Sequence, residues 1–378
     1  MHLSSRERVL AAVSHQEPDR VPLALWGSWY GVTDRLYFNI LDHLKWDPVL
    51  PFRPDKVHSV NYYDDRLLEI LGVDVRHVDP GSTAVTSRRS DDGTDGWGLR
   101  FDYSGLYRTA SHFPLEKASI DEIYAYPLPD PDVVIRKDEI KERLKQIRSM
   151  DHEYAVVGRA VSSYGFFEMA QSLRRHEQLL TDMLDDPEVV HALVDRLYGC
   201  YAGMIERFLD FAGKDLDLIE LPGDDYAGNL RPIISPALFD RFFREPYRKL
   251  VELVKGHSPH VKVIFHSDGA ITPFLQRLID IGIDVVHPIE PVPATDLAAV
   301  KEKYGRSLTF LGGIDIRQAL QGSNEEVQQE VRRRIDTLAP GGGYILAPAN
   351  HLQWDVPPEN VFTLFETART YGRYPLEH

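Results

Sequence analysis

The sequence is 378 residues long, 43% hydrophobic and 27% charged, a composition with enough apolar material for a large buried core and unlike that of a disordered chain. Its net charge of −15 argues against a nucleic-acid partner, because phosphate binding relies on clustered Lys and Arg and a field of this sign repels it; a small molecule or a protein is the expected partner. Cys200 is the one cysteine, which leaves no intramolecular disulfide and no multi-thiolate zinc site within the chain, and fits a reducing cytoplasm.

In chain order, Ser4-Ser5-Arg6-Glu7 has capping-box spacing and predicts a helix start. No basic segment followed by an apolar run is found there, and no stretch approaches about 18 continuous apolar residues, so neither secretion nor a membrane span is expected. Short apolar, β-branched runs then recur at residues 21–26, 73–78, 155–159, 218–221, 261–266, 285–288, 308–312 and 344–348. Longer segments with helical periodicity separate them, among them 177–211, 236–255 and 325–338. Eight strands alternating with helices predict an α/β fold, a closed (β/α)8 TIM barrel occupying residues 1–378 as one domain. The stretch from about 80 to 130 breaks the pattern. Asp91-Asp92-Gly93, Gly96-Trp97-Gly98 and interleaved aromatics predict a hairpin and loops inserted after the second strand, over one mouth, before proline-marked return to a helix near Asp138.

In such barrels the loops after the carboxyl ends of the strands build the active site. The polar residues expected there are Trp26 and Tyr30, Asp74 and His77, Arg159 and Tyr164, Glu220 with Asp224-Asp225, His266 and Asp268, His287 and Glu290, Asp315, and Asn350-His351. His266-Ser267-Asp268-Gly269 follows the strongest strand, and its glycine lets imidazole and carboxylate both point into the mouth. That pair is half of a metal site, which Glu220, Asp225 or His351 could complete with an open position left over; a histidine at a strand end also serves as a hydrogen-bonded core residue or substrate contact. Three carboxylates within residues 220–225 could raise one another's pKa for acid catalysis or sit in water as loop charge. Gly341-Gly342-Gly343 precedes a strand instead of opening a helix, which makes it a turn and not a phosphate cradle.

Arg6-Glu7-Arg8-Val9-Leu10, Glu17-Pro18-Asp19-Arg20-Val21-Pro22, the central stretch 262–269, Gly342-Gly343-Tyr344-Ile345-Leu346-Ala347-Pro348 and Pro357-Pro358-Glu359-Asn360 together resemble the uroporphyrinogen decarboxylase superfamily. True decarboxylases carry an arginine-rich segment after the first strand that holds the substrate's many carboxylates. Here that stretch reads Trp26-Gly27-Ser28-Trp29-Tyr30-Gly31, with no arginine until Arg35, so a polyanionic porphyrinogen is disfavoured. The aromatics suit a smaller, flatter or methylated substrate.

The resemblance is better to the corrinoid-linked methyltransferases of this superfamily. Those acting on thiols hold zinc through a His-x-Cys turn and a later Cys; here His266 matches, Asp268 stands at the first cysteine, and Asn350 or His351 stands near the second. Hard donors replace soft ones, which suits an oxygen substrate or a site without metal. The resemblance therefore implies methyl transfer between a small methoxy or methylated substrate and a corrinoid on a separate partner protein, with homodimerisation. His266, Asp268 and His351 are the expected ligands of zinc or another divalent metal, and Glu220, Asp225 and His266 the expected catalytic groups. Trp26, Trp29, Tyr30, His77, Arg159, Tyr164, His287 and Asn350 are the expected substrate contacts. Two other readings remain open: a lyase that holds a different carboxylated substrate through Arg159 or Arg35, and a non-catalytic barrel that binds a ligand or a corrinoid partner. A metal-dependent hydrolase is weaker, because paired histidines on the first strand are missing.

Overall fold

Seven of the eight expected runs form strands in the computed structural model, which describes residues 3–25, 31–48, 64–81, 93–104 and 107–376. They are β1 (Val75–Val78) and, after a hairpin of β2 (Arg100–Ser104) and β3 (Tyr107–His112), β4 (Ala155–Gly158), β5 (Leu218–Glu220), β6 (Lys262–His266), β7 (Val285–Ile289), β8 (Thr309–Ile314) and β9 (Tyr344–Pro348). The sheet runs β1-β4-β5-β6-β7-β8-β9, and every neighbouring pair in it is parallel. Nearly every residue of these strands is buried, which is why they read as continuous apolar runs with no polar alternation.

The eighth run closes the ring. Leu23 bridges Leu346 of β9 in parallel, with Ala24 N donating to Leu346 O at 2.9 Å. On its other side Leu23 O accepts from Asp74 N, just ahead of β1, at 2.8 Å. Residues 21–25 thus lie between the last and first strands of the sheet, and the TIM-barrel order is complete.

Asp74 itself corrects an expectation. It precedes β1 and so lies at the amino-terminal rim, opposite the mouth, with no exposed surface. Its carboxylate accepts from Arg8 Nη1 at 2.7 Å, Ser5 Oγ at 2.8 Å, Arg20 Nη1 at 2.8 Å and Leu23 N at 2.8 Å. Two helices also depart from expectation. The segment 177–211 divides into His176–Asp185 and Pro187–Ala212, because Pro187 has no N–H to continue the ladder. The segment 236–255 divides into Pro236–Phe242 and Arg244–His257, where Pro246 sits in the first turn of the second helix, the one place its missing donor costs nothing.

The described part of the excursion after β1 rests on the helices between β4 and β5. Trp97 packs edge-on against Tyr201 with centroids 6.0 Å apart, and Leu115 N donates to Leu173 O at 2.9 Å. Among the described residues no helix is long and apolar enough to cross a membrane.

Candidate active site

The strand ends deliver the central cluster. Glu220 closes β5 and registers with Ile264 of β6; two residues on, and therefore on the same face of the pleat, His266 closes β6 and registers with His287 of β7. The two imidazoles meet Nδ1 to Nδ1 at 3.1 Å, and ligand atoms of Glu220, His266 and His287 all lie within 4.8 Å of one another. All three residues are at least nine-tenths buried.

Outside this trio sits a rim of carboxylates. His266 Nε2 lies 3.7 Å from Asp225 Oδ1 and 3.9 Å from Asp268 Oδ1, a second group with metal-ligand spacing. Asp268 is fixed on both sides: its N–H donates to Asp225 Oδ1 at 2.7 Å, and its Oδ2 accepts from Asn350 Nδ2 at 3.0 Å. The turn that makes this possible needs Gly269, whose φ is +78° and where a Cβ would sit 2.4 Å from Ala227 O. Gly223 allows the β5 and β6 loops to touch, since a Cβ there would fall 2.5 Å from the Cβ of His266.

Behind Asp225 stands Glu168, in the first turn of helix Phe166–Arg174, with its carboxylate accepting from Asp225 N–H. Asp224 anchors that helix: its carboxylate accepts from Phe167 N at 2.9 Å and Glu168 N at 2.8 Å, satisfying donors that the helix leaves open, and from Tyr226 and Tyr247 hydroxyls at 2.8 Å each. Sequence reasoning missed Glu168. The available signal was its place one turn into the helix that follows β4, on the mouth side of the barrel.

Burial governs the protonation states. It lowers His266 to about 3, and it lowers His287 well below the ordinary value with help from neighbouring His266, His351 and His77, so both rings are neutral near pH 7. Burial raises Glu168 far above the usual carboxylate range, reinforced by the charges of Asp225, Asp224 and Asp268. Asp225 is raised by burial against the opposing N–H of Asp268, and Asp224 is pushed up to about 6 by burial against its four hydrogen bonds. The mouth therefore holds neutral imidazoles beside carboxyl groups that retain a proton readily.

The other expected residues distribute around this centre. His77 on β1 and His351 lie close enough to His287 to act on it electrostatically. His351 stands outside both metal-competent groups: its Nδ1 accepts from Gly31 N at 3.2 Å, and its own N–H donates to Asn350 Oδ1 at 2.7 Å. Arg159, buried just past β4, faces Asp79 at 3.5 Å. Tyr164 presents its carbonyl to the Tyr201 hydroxyl at 2.8 Å. Glu290 accepts from Gly269 N at 2.8 Å and pairs with Arg317, while Asp315 shapes the loop by accepting from Arg317 N at 2.9 Å. Trp26, Trp29 and Tyr30 lie outside the described residues.

Residues 98–371 match the family model for uroporphyrinogen decarboxylase (URO-D). The chain belongs to the uroporphyrinogen decarboxylase family. Uroporphyrinogen decarboxylase 2 of Arabidopsis thaliana chloroplasts is 25% identical over 61% of this chain and 56% of its own length. The corresponding Oryza sativa protein is 26% identical over 49% and 44%. The matched segments thus span about half the length of these relatives. In fold, a methyltransferase from Methanosarcina mazei superposes with a TM-score of 0.67 at 17% identity, covering 98% of this chain and 99% of that one. Within the URO-D family, a thiolate-held zinc does not fit this chain. Cys200 is buried on helix Pro187–Ala212 with its Sγ 3.4 Å from Pro129 O, and the mouth offers nitrogen and oxygen donors.

Proposed function

We propose that this URO-D family chain is a methyltransferase that moves a methyl group between a small methoxy or methylated substrate and a corrinoid carried on a separate protein. The observation that carries the reading is the make-up of the mouth: Glu220, His266, His287, Asp225 and Asp268 converge there, where a porphyrinogen decarboxylase needs guanidinium groups. The arginines described nearby are already engaged, Arg159 with Asp79, Arg317 with Glu290, and Arg35 over the Trp354 ring at 4.5 Å. The full-length likeness in fold to a methyltransferase agrees with this reading.

In the proposed reaction the methyl carbon leaves an oxygen and bonds to reduced cobalt. The C–O electron pair stays on that oxygen, which takes a proton from Asp225, with Glu168 behind it. His266, held between Asp225, Asp268 and His287, orients the substrate oxygen. Purified chain mixed with a reduced corrinoid protein and a panel of methoxylated and methylated small molecules is expected to yield methylated cobalt, read by its absorption spectrum. His266→Ala is expected to lower the rate by at least about a hundredfold. Full activity in that variant would remove His266 from the mechanism. Carbon dioxide release from a carboxylated substrate, with no methyl transfer, would establish the lyase reading in its place.

A further inference from the structure

We propose that Glu220, His266 and His287 form a divalent-metal site at the floor of the mouth, taking a borderline ion such as Zn²⁺, Co²⁺ or Ni²⁺ through two imidazole Nδ1 atoms and one carboxylate. The three side chains come from the ends of three adjacent strands, β5, β6 and β7, so the frame is as rigid as the barrel itself. The Nδ1 atoms of His266 and His287 are 3.1 Å apart, within the ~3.0–3.4 Å that separates two ligands each about 2.1 Å from one ion. Glu220 brings its carboxylate within 4.8 Å of both and supplies a negative charge that a buried cation balances.

The carboxylate rim decides which ring nitrogen is offered. Asp225 and Asp268 face His266 Nε2 at 3.7 and 3.9 Å, and both are themselves tied in place, so the imidazole hydrogen is favoured on Nε2. The Nδ1 lone pair then points at His287 and Glu220. A carboxylate on one nitrogen and an ion on the other is the arrangement in which metal-bound histidines are commonly found. Asp225 and Asp268 act here as positioning residues. The competing arrangement puts the ion on the rim, between Asp225, His266 Nε2 and Asp268.

The proposal is independent of the methyl acceptor and of the reaction catalysed, so its test is a binding measurement. Chelator-treated full-length chain is titrated with Co²⁺, followed by calorimetry and by visible absorption. One ion per chain is expected, and Glu220→Gln and His287→Gln are each expected to weaken binding at least about a hundredfold, against about tenfold for Asp268→Asn. Cobalt binding that survives His287→Gln unchanged but is lost in Asp268→Asn would place the ion on the rim and overturn the proposal, as would the absence of binding to the unaltered chain. Should His287→Gln not fold, proton NMR of the Co²⁺-loaded unaltered chain decides the matter. Two exchangeable, paramagnetically shifted imidazole N–H signals support the floor site, whereas one signal indicates the rim.

Discussion

Asp224 shows how much of this site rests on a residue that never faces the substrate. With no exposed surface, it accepts from two open N–H groups of helix Phe166–Arg174 and from two tyrosine hydroxyls, and thereby sets where Glu168 stands. Gly165, at the helix start, provides no side-chain cap of its own, so the neighbouring β5 loop provides it. Removing the carboxylate takes the acceptor from the Phe167 and Glu168 N–H groups and the Tyr226 hydroxyl, while the Tyr247 hydroxyl keeps Pro222 O at 2.9 Å. Asp224→Ala is therefore expected to lower the unfolding free energy by about 3 kcal/mol, and Tyr247→Phe by about 1 kcal/mol. Denaturant titration checks both; an unchanged midpoint in Asp224→Ala would mean that the helix start is held by other contacts. Asp224 was visible in the sequence as one of three clustered acids, yet nothing in that spacing separated the anchoring carboxylate from Asp225, which faces His266.

Among the elements, the Gly341-Gly342-Gly343 turn links helix Asn324–Leu338 to β9 with φ values of +77°, +75° and +67°. A Cβ on Gly342 would lie 2.6 Å from Gln16 O, so both the backbone conformation and the close approach require glycine there. The expected helix-to-strand turn is thus what forms. Its carbonyl at Gly342 accepts from Lys301 Nζ at 2.5 Å, and burial lowers Lys301 to about 8. Between pH 8 and the ordinary lysine value near 10.5, the unfolded chain holds a proton that the folded chain has released, so this group makes stability rise with pH in that window. The slope is at most about 1.4 kcal/mol per pH unit, less solvent screening. Lys301→Met is expected to flatten the dependence over that range relative to the unaltered chain, read as unfolding midpoints at a series of pH values. Parallel curves would show that Lys301 keeps its proton when folded.

At the scale of the whole molecule, closure depends on the seam where residues 21–25 meet β1 and β9. Asp74 stitches it from the amino-terminal rim, tying Arg8, Arg20, Ser5 and the backbone of Leu23. Replacing it by alanine takes one carboxylate from Arg8, which keeps Asp19, and leaves the largely buried Arg20 with the carbonyls of Val21 and Gly72. A loss of about 3 kcal/mol is expected, and because the seam closes the ring, it should appear as cooperative unfolding at lower denaturant. A separate early transition would instead show that the seam opens alone while the remaining sheet stays folded.

The sequence by itself determined the α/β alternation and the strand runs, because buried parallel strands must be apolar throughout and helices must carry a 3.6-residue period, while its motifs carried the resemblance to the family. It also placed His266, Glu220, Asp225 and Asp268 at strand ends, since one-way strands deliver their carboxyl ends to one rim. The tertiary structure alone decided which of those residues meet. His266 faces His287 through the register of β6 on β7, Asp268 is held by Asn350 from the far side of the ring, and Glu168 arrives on a helix whose start is fixed by Asp224. Register, loop path and helix anchoring are set by contacts between residues distant in the chain, and a linear pattern carries no measure of those distances.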